Sequence, residues 1–150
     1  MVDVVSLKTR SQMMAGIKGR NTKPEIQIRK ALHKLGFRYS LYNHTLPGKP
    51  DLIFPKHKSV IQVNGCFWHK HNCHLFKWPS TRPDFWKNKI SGNRKRDSKN
   101  NAELNKLGWR VLTIWECALK GKSKINFDVL IRKIEKWLTT DARSCEIEGR

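Results

Sequence analysis

Acidic residues are scarce in this chain: 12 Asp+Glu face 31 Lys+Arg across 150 residues, a formal net charge of +19. Long hydrophobic runs are missing too. No stretch approaches the roughly 20 apolar residues with which a helix crosses a bilayer, so membrane spanning is not expected. The opening MVDVVSLKTR has no charged start followed by an apolar block, so a secretory leader is not expected. There are four cysteines, at positions 66, 73, 117 and 145. In the reducing compartment expected for a leaderless chain, they point to metal rather than disulfides. Internal repeats and low-complexity segments are also absent. What is present is enough to build a core: 38% apolar residues, six Trp, and runs such as Val111-Leu112-Thr113-Ile114-Trp115, which exclude a disordered basic tail.

Charge this one-sided strains a compact fold by self-repulsion and points to a polyanionic partner, nucleic acid first and an acidic membrane surface second. Solubility alone is reached with a net charge of roughly 2 to 8 in a small domain.

The pattern predicts one α/β domain with a mixed central sheet flanked by helices on both faces. A first helix is expected over residues 6–18. A second begins with Thr22 as N-cap, Pro24 in the first turn and Glu25 three residues after the cap, carries Ile28, Ala31, Leu32 and Leu35 on one stripe, and stops at Gly36. Residues 37–42 alternate as a half-buried strand. Asp51-Leu52-Ile53-Phe54 and Ser59-Val60-Ile61-Gln62-Val63 form a hairpin about Lys56 and His57. A charged helix over residues 82–107, a buried strand over 109–116 and a helix over 126–138 complete the order. Residues 1–20 are expected to be an N-terminal arm, 21–140 the core, and 141–150 a disordered tail.

With that hairpin turn, Asp51 lies opposite Gln62 and shares a face with Ile53, Val60, Gln62 and Asn64, while Leu52, Phe54, Ile61 and Val63 face the other way. An acid and two amides then converge at one end, and an acid at the start of a strand is a fitting seat for Mg²⁺. A residue capping the Pro-Gly-Lys-Pro turn is the plainer role for Asp51. Pro50-Asp51 with Gln62-Val63-Asn64 resembles a worn PD-(D/E)xK nuclease signature, with amides in place of the second acid and the lysine.

Directly after that strand, Cys66-Phe67-Trp68-His69-Lys70-His71-Asn72-Cys73-His74 packs two Cys and three His into nine residues. Zn²⁺ in a structural site takes four soft or borderline ligands in a tetrahedron, and Cys117, just past the buried strand, can join Cys66, Cys73 and one histidine. The spacing leaves that histidine open. A spare imidazole beside a metal-binding acid suits a general base, and His69 is nearest to the Asp51 strand.

The string Gly65-Cys66-Phe67-Trp68-His69-x-His71-x-Cys73 is distinctive. It is preceded by Leu46-Pro47-Gly48-Lys49-Pro50-Asp51 and followed by Thr81-Arg82-Pro83-Asp84-Phe85-Trp86 and Gly108-Trp109-Arg110-Val111-Leu112-x-x-Trp115-Glu116-Cys117. Together with Thr9-Arg10-Ser11-x-x-Met14 and the Glu25 helix, over residues 8–138, the chain resembles the Vsr very-short-patch-repair endonucleases. That resemblance implies a restriction-endonuclease-like fold and a Mg²⁺-dependent endonuclease that nicks 5′ of the thymine in T:G mismatches left by deamination of 5-methylcytosine. Asp51 and the main-chain carbonyl of Val63 would hold Mg²⁺. His69 would activate water, and Glu25 would hydrogen-bond to the metal-bound waters. Cys66, His71, Cys73 and Cys117 would hold a structural Zn²⁺. Where relatives carry a second active-site histidine this chain has Asn64, which donates a hydrogen bond but does not titrate near neutral pH.

By the same resemblance Phe67, Trp68 and Trp86 form a wedge inserted beside the mismatch, Met14 and Ile17 lie along the minor groove, and Lys89 and Asn93 sit near the bases. Helical spacing supports one part of this, since Trp86, Lys89, Ile90 and Asn93 share a face. The implied setting is the bacterial cytoplasm, on the nucleoid. The implied partners are mismatched duplex DNA, a companion cytosine methyltransferase and mismatch-repair proteins, with the protein itself a monomer. The competing expectation is a zinc-stabilised DNA-binding module whose catalytic metal site has decayed.

Overall fold

The computed structural model describes residues 23–41, 46–69 and 71–149. The expected first helix, and with it Met14 and Ile17, lies outside those residues, as do Thr22 and Tyr42.

Helix α1 (Lys23–Lys34) buries Ile28 and Leu32, and Gly36 at φ 100° ends it while Phe37 N–H closes back onto the Leu32 carbonyl at 3.1 Å. Leu35, placed on the apolar stripe by spacing, falls beyond the last turn and is exposed. The strand expected over residues 37–42 pairs only at β1 (Ser40–Leu41), because Phe37 and Tyr39 turn their rings onto Phe54 instead of continuing a ladder. Strands β2 (Leu52–Phe54) and β3 (Ser59–Asn64) form the hairpin in the expected register, Phe54 opposite Ser59 and Leu52 opposite Ile61. Helix α2 (Pro83–Lys106) then crosses to β4 (Arg110–Trp115), which lies parallel to β3, and helix α3 (Phe127–Thr139) follows. Asn126 caps α3 through its side-chain oxygen, which accepts from Asp128 N–H at 3.0 Å and Val129 N–H at 3.3 Å.

The tail corrects an expectation. Residues 145–147 are not frayed: they form β5 (Cys145–Ile147), parallel to β4, and complete a sheet ordered β1-β2-β3-β4-β5. The segment is too short and polar to announce itself, and tertiary partners hold it. The Arg110 guanidinium lies on the Trp137 ring at 4.5 Å and donates to the carbonyls of Trp137, Leu138, Thr140 and Ala142, which ends α3 and turns the chain back. Ser144 Oγ then accepts the Val111 N–H at 2.8 Å and donates to Asn105.

The two sheet faces separate as alternation dictates. Leu52, Phe54, Ile61, Leu112 and Ile114 pack beneath α1 and α3, whereas Ile53, Val60 and Val111 meet Leu104 of α2. Among the described residues no helix is long and apolar enough to cross a membrane.

Candidate active site and metal centre

The inner face of α2 changes character along its length. Trp86, Ile90 and Leu104 are buried, but between them the same stripe carries Asn93, Asp97, Asn100 and Asn101, all partly covered. This polar stretch hangs over the ends of β2 and β3. There Gly48, Lys49, Asp51, Gln62, Val63, Asn64, His69, Asp97 and Asn100 line a cleft of about 190 Å³. Gly48 holds φ at 76° with a missing Cβ that would stand 3.0 Å from the Asn100 side chain, so only glycine lets the loop before Asp51 pass beneath the helix.

Asp51 accepts the Val63 N–H at 2.7 Å, an anchor across the hairpin end. Burial pushes its carboxyl up to about 7; the Val63 hydrogen bond opposes that, and the neighbouring Glu25 carboxyl, which also hydrogen-bonds to it, adds to it. Glu25 itself is buried on α1 and takes a 3.1 Å contact from Arg29 one turn on. Two carboxyl groups pressed together in a half-dry cleft form a donor set that a hard divalent cation neutralises, and the residues fit Mg²⁺.

His69 faces Asp51 and is gripped from α2: its Nδ1 pairs with Asp97 Oδ2. Sequence reasoning missed Asp97. The signal was available, because Asp97 lies one turn beyond Asn93 on the stripe already traced through Trp86 and Ile90. Paired this way, the imidazole is held in one orientation and Nε2 is left as the nitrogen able to accept a proton.

The second centre lies where β3 and β4 run out side by side. Cys66 follows β3 and Cys117 sits in the 3₁₀ turn Glu116–Ala118 after β4; the parallel register brings the two ends together. The donor atoms of Cys66, His71, Cys73 and Cys117 all lie within 4.8 Å of one another. His71 Nδ1 stands 3.6 Å from the Cys66 sulfur and 3.5 Å from the Cys117 sulfur. A tetrahedron with Zn–S near 2.3 Å and Zn–N near 2.0 Å has S···N edges of about 3.5 Å, so the donor set fits Zn²⁺ in chemistry and in spacing. Burial pushes the Cys66 and Cys117 thiols up, while at Cys73 burial is outweighed by hydrogen bonds from His71 and the Leu75 N–H, which bring it down. Cys145 begins β5 opposite Leu112 and is not part of the cluster.

One ring joins the two centres. The Trp115 indole stacks on His71 with centroids 4.2 Å apart and planes 15° apart, and its edge meets His69 at 6.1 Å. Both imidazoles, Trp115, Asn64, Asp97, Glu146 and Glu148 line a cavity of about 570 Å³ between α2 and the ends of β3, β4 and β5.

A family model described as DNA mismatch endonuclease Vsr matches residues 2–75. The DNA mismatch endonuclease Vsr of Escherichia coli is 40% identical over 148 residues, covering 99% of this chain and 95% of that protein. The type II nicking enzyme V.XorIIP of Xanthomonas oryzae pv. oryzae is 42% identical over 119 residues, 79% of this chain and 88% of its own. The type II nicking enzyme V.NmeAIP of Neisseria meningitidis is 40% identical over 137 residues, 90% and 98% respectively. The chain belongs to the Vsr family.

As a Vsr chain it has the expected restriction-endonuclease-like α/β architecture with a mixed sheet. The aromatic trio is contiguous: Phe67 meets Trp68 at 5.2 Å and Trp86 at 5.4 Å, and Trp68 meets Trp86 at 5.9 Å. Phe67 and Trp68 are half-exposed over a buried Trp86. Phe76 stacks on Phe67, and the exposed Phe85 and Trp78 extend the cluster through Trp86 and Phe76. Lys89 Nζ stands 6.0 Å above the Trp68 ring. Asn93 is engaged from within: its amide donates to the Trp68 carbonyl at 2.9 Å, fixing the loop that presents the aromatic pair.

Proposed function

We propose that this Vsr chain is a Mg²⁺-dependent endonuclease that nicks one strand of duplex DNA 5′ of the thymine in a T:G mismatch. The observation that carries this reading is the meeting of Asp51 and the His69–Asp97 pair at one cleft, with Glu25 buried against Asp51, beside a half-exposed aromatic cluster. Bound by Asp51 and the Val63 carbonyl, with Glu25 hydrogen-bonded to its waters, Mg²⁺ would neutralise the scissile phosphate and act as a Lewis acid. His69, oriented by Asp97, takes the proton of the attacking water on Nε2. Asn64, at the end of β3, donates a hydrogen bond to a phosphate oxygen or a water, and a bound metal would assist the departing oxygen.

Recognition of the lesion comes from the aromatic cluster. Inserting Phe67 and Trp68 between base steps costs a few kcal/mol of unstacking, and that cost is lowest beside a mismatched pair. The basic outer face of α2, with Lys87, Arg94, Lys95, Arg96 and Lys99, grips phosphates without regard to sequence. Flanking sequence would match that of a companion cytosine methyltransferase, whose product deaminates to give T:G.

A nicking assay on end-labelled T:G and matched T:A duplexes tests the reading. The expected result is a single nick in the T strand of T:G alone, dependent on Mg²⁺ and abolished in Asp51→Ala. Tight T:G binding without any nick would establish instead a DNA-binding module with a decayed catalytic site, and equal cutting of both duplexes a non-specific nuclease.

A further inference from the structure

The C-terminal strand does more than lengthen the sheet. The two residues that follow it reach the Cys/His cluster at two atoms. Glu148 Oε2 lies 2.7 Å from His71 Nε2, and the Gly149 N–H donates to the Cys117 sulfur at 3.2 Å. These contacts complement each other chemically. A carboxylate at Nε2 holds the proton on that nitrogen and leaves the Nδ1 lone pair facing the Cys66 and Cys117 sulfurs, which is the tautomer a metal needs. An N–H donor at a cysteine sulfur stabilises its thiolate form.

The fit at Gly149 is close. A Cβ there would press into the Cys117 carbonyl and stand 2.7 Å from the Ser123 carbonyl, nearer than any side chain tolerates. Strand and cluster are thus built against one another, with Ile147 pairing Ile114 at the end of the ladder.

We propose that residues 145–149 are a working part of the metal centre: Glu148 is the positioning residue for His71 and Gly149 for Cys117, so metal retention depends on docking of the strand and docking depends on the metal. This rests on the reading of the four-residue cluster as a zinc site.

The test is zinc release from full-length protein into a chromogenic chelator, with tryptic cleavage after Arg143 followed in parallel. Glu148→Ala and Gly149→Ala are expected to release zinc about 10- to 100-fold faster than wild type, the range typical of outer-shell partners, with Glu148→Gln in between because its amide oxygen still accepts from Nε2–H. Chelation of wild type should speed cleavage after Arg143 by a similar factor. Release rates within twofold of wild type in both alanine variants, or cleavage indifferent to chelation, would overturn the proposal. Wild-type protein purified without stoichiometric zinc would overturn the zinc reading beneath it instead.

Discussion

The Asp51 carboxyl carries a cost that is measurable without any nuclease assay. Its pKa rises from 3.8 to about 7 on folding, chiefly through burial. The folded protein therefore binds that proton more tightly than the unfolded chain. Between pH 3.8 and about 7 the native state holds a proton the unfolded state has lost, so stability falls as pH rises through this window and is flat above it. A gap of about three pH units corresponds to about 4 kcal/mol of destabilisation at and above neutral pH, of which about 3 kcal/mol accrues between pH 5 and pH 8. Asp51→Asn keeps an oxygen for the Val63 N–H and removes the charge. In zinc-loaded, Mg²⁺-free protein, urea unfolding followed by far-ultraviolet circular dichroism should find the Asp51→Asn variant more stable than wild type, with the advantage about 3 kcal/mol larger at pH 8 than at pH 5. Titrating groups that do not interact with Asp51 are shared and cancel in the comparison, which leaves Asp51 and its coupled neighbours Glu25 and His69. Mg²⁺ added at pH 8 should stabilise wild type and leave the variant unmoved. An advantage that is the same at both pH values to within about 1 kcal/mol would refute the reasoning.

Three further outcomes follow from the geometry. Asp97→Asn, which leaves His69 in place without its carboxylate, should slow single-turnover nicking by about 100-fold while T:G duplex affinity stays within twofold; an equal loss in affinity would mean Asp97 serves binding. Trp68→Ala should weaken binding to T:G duplex by about 10- to 100-fold and to matched duplex much less, read by fluorescence anisotropy, because the lost stacking surface is used only when a step is opened. Cys66→Ala removes a fully buried donor that also receives the Cys117 N–H, and should abolish stoichiometric zinc and lower Tm by about 10 °C in calorimetry.

The legible parts of the molecule were those encoded locally. The hairpin register was readable because Lys56 and His57 mark the turn and alternation does the rest, and this placed Asp51, Gln62 and Asn64 on one face. The cluster was readable because cysteine and histidine rarely crowd so densely without a metal, although only the fold, by running β3 and β4 parallel, joins Cys117 to Cys66 across 51 positions. Asp97 was hidden by its setting, one of three acids in a helix so basic that its face looked merely solvated. Strand β5, Glu148 and Gly149 were invisible for a different reason. Ile147 alone favours a strand among them, too little to mark one, and their conformation is dictated by Arg110, Ser144 and the open edge of β4.

Trp115 gives the chain a constraint that neither centre would have alone. Its ring answers to two imidazoles, one belonging to the Cys/His cluster and one to the Asp51 cleft. Position 115 accordingly has no neutral direction of change. A smaller residue removes a wall from both rings at once, and a polar one trades a stacking partner for a competitor. Any lineage that remodels the Cys/His cluster, or drops it, must first find His69 another wall to lean on.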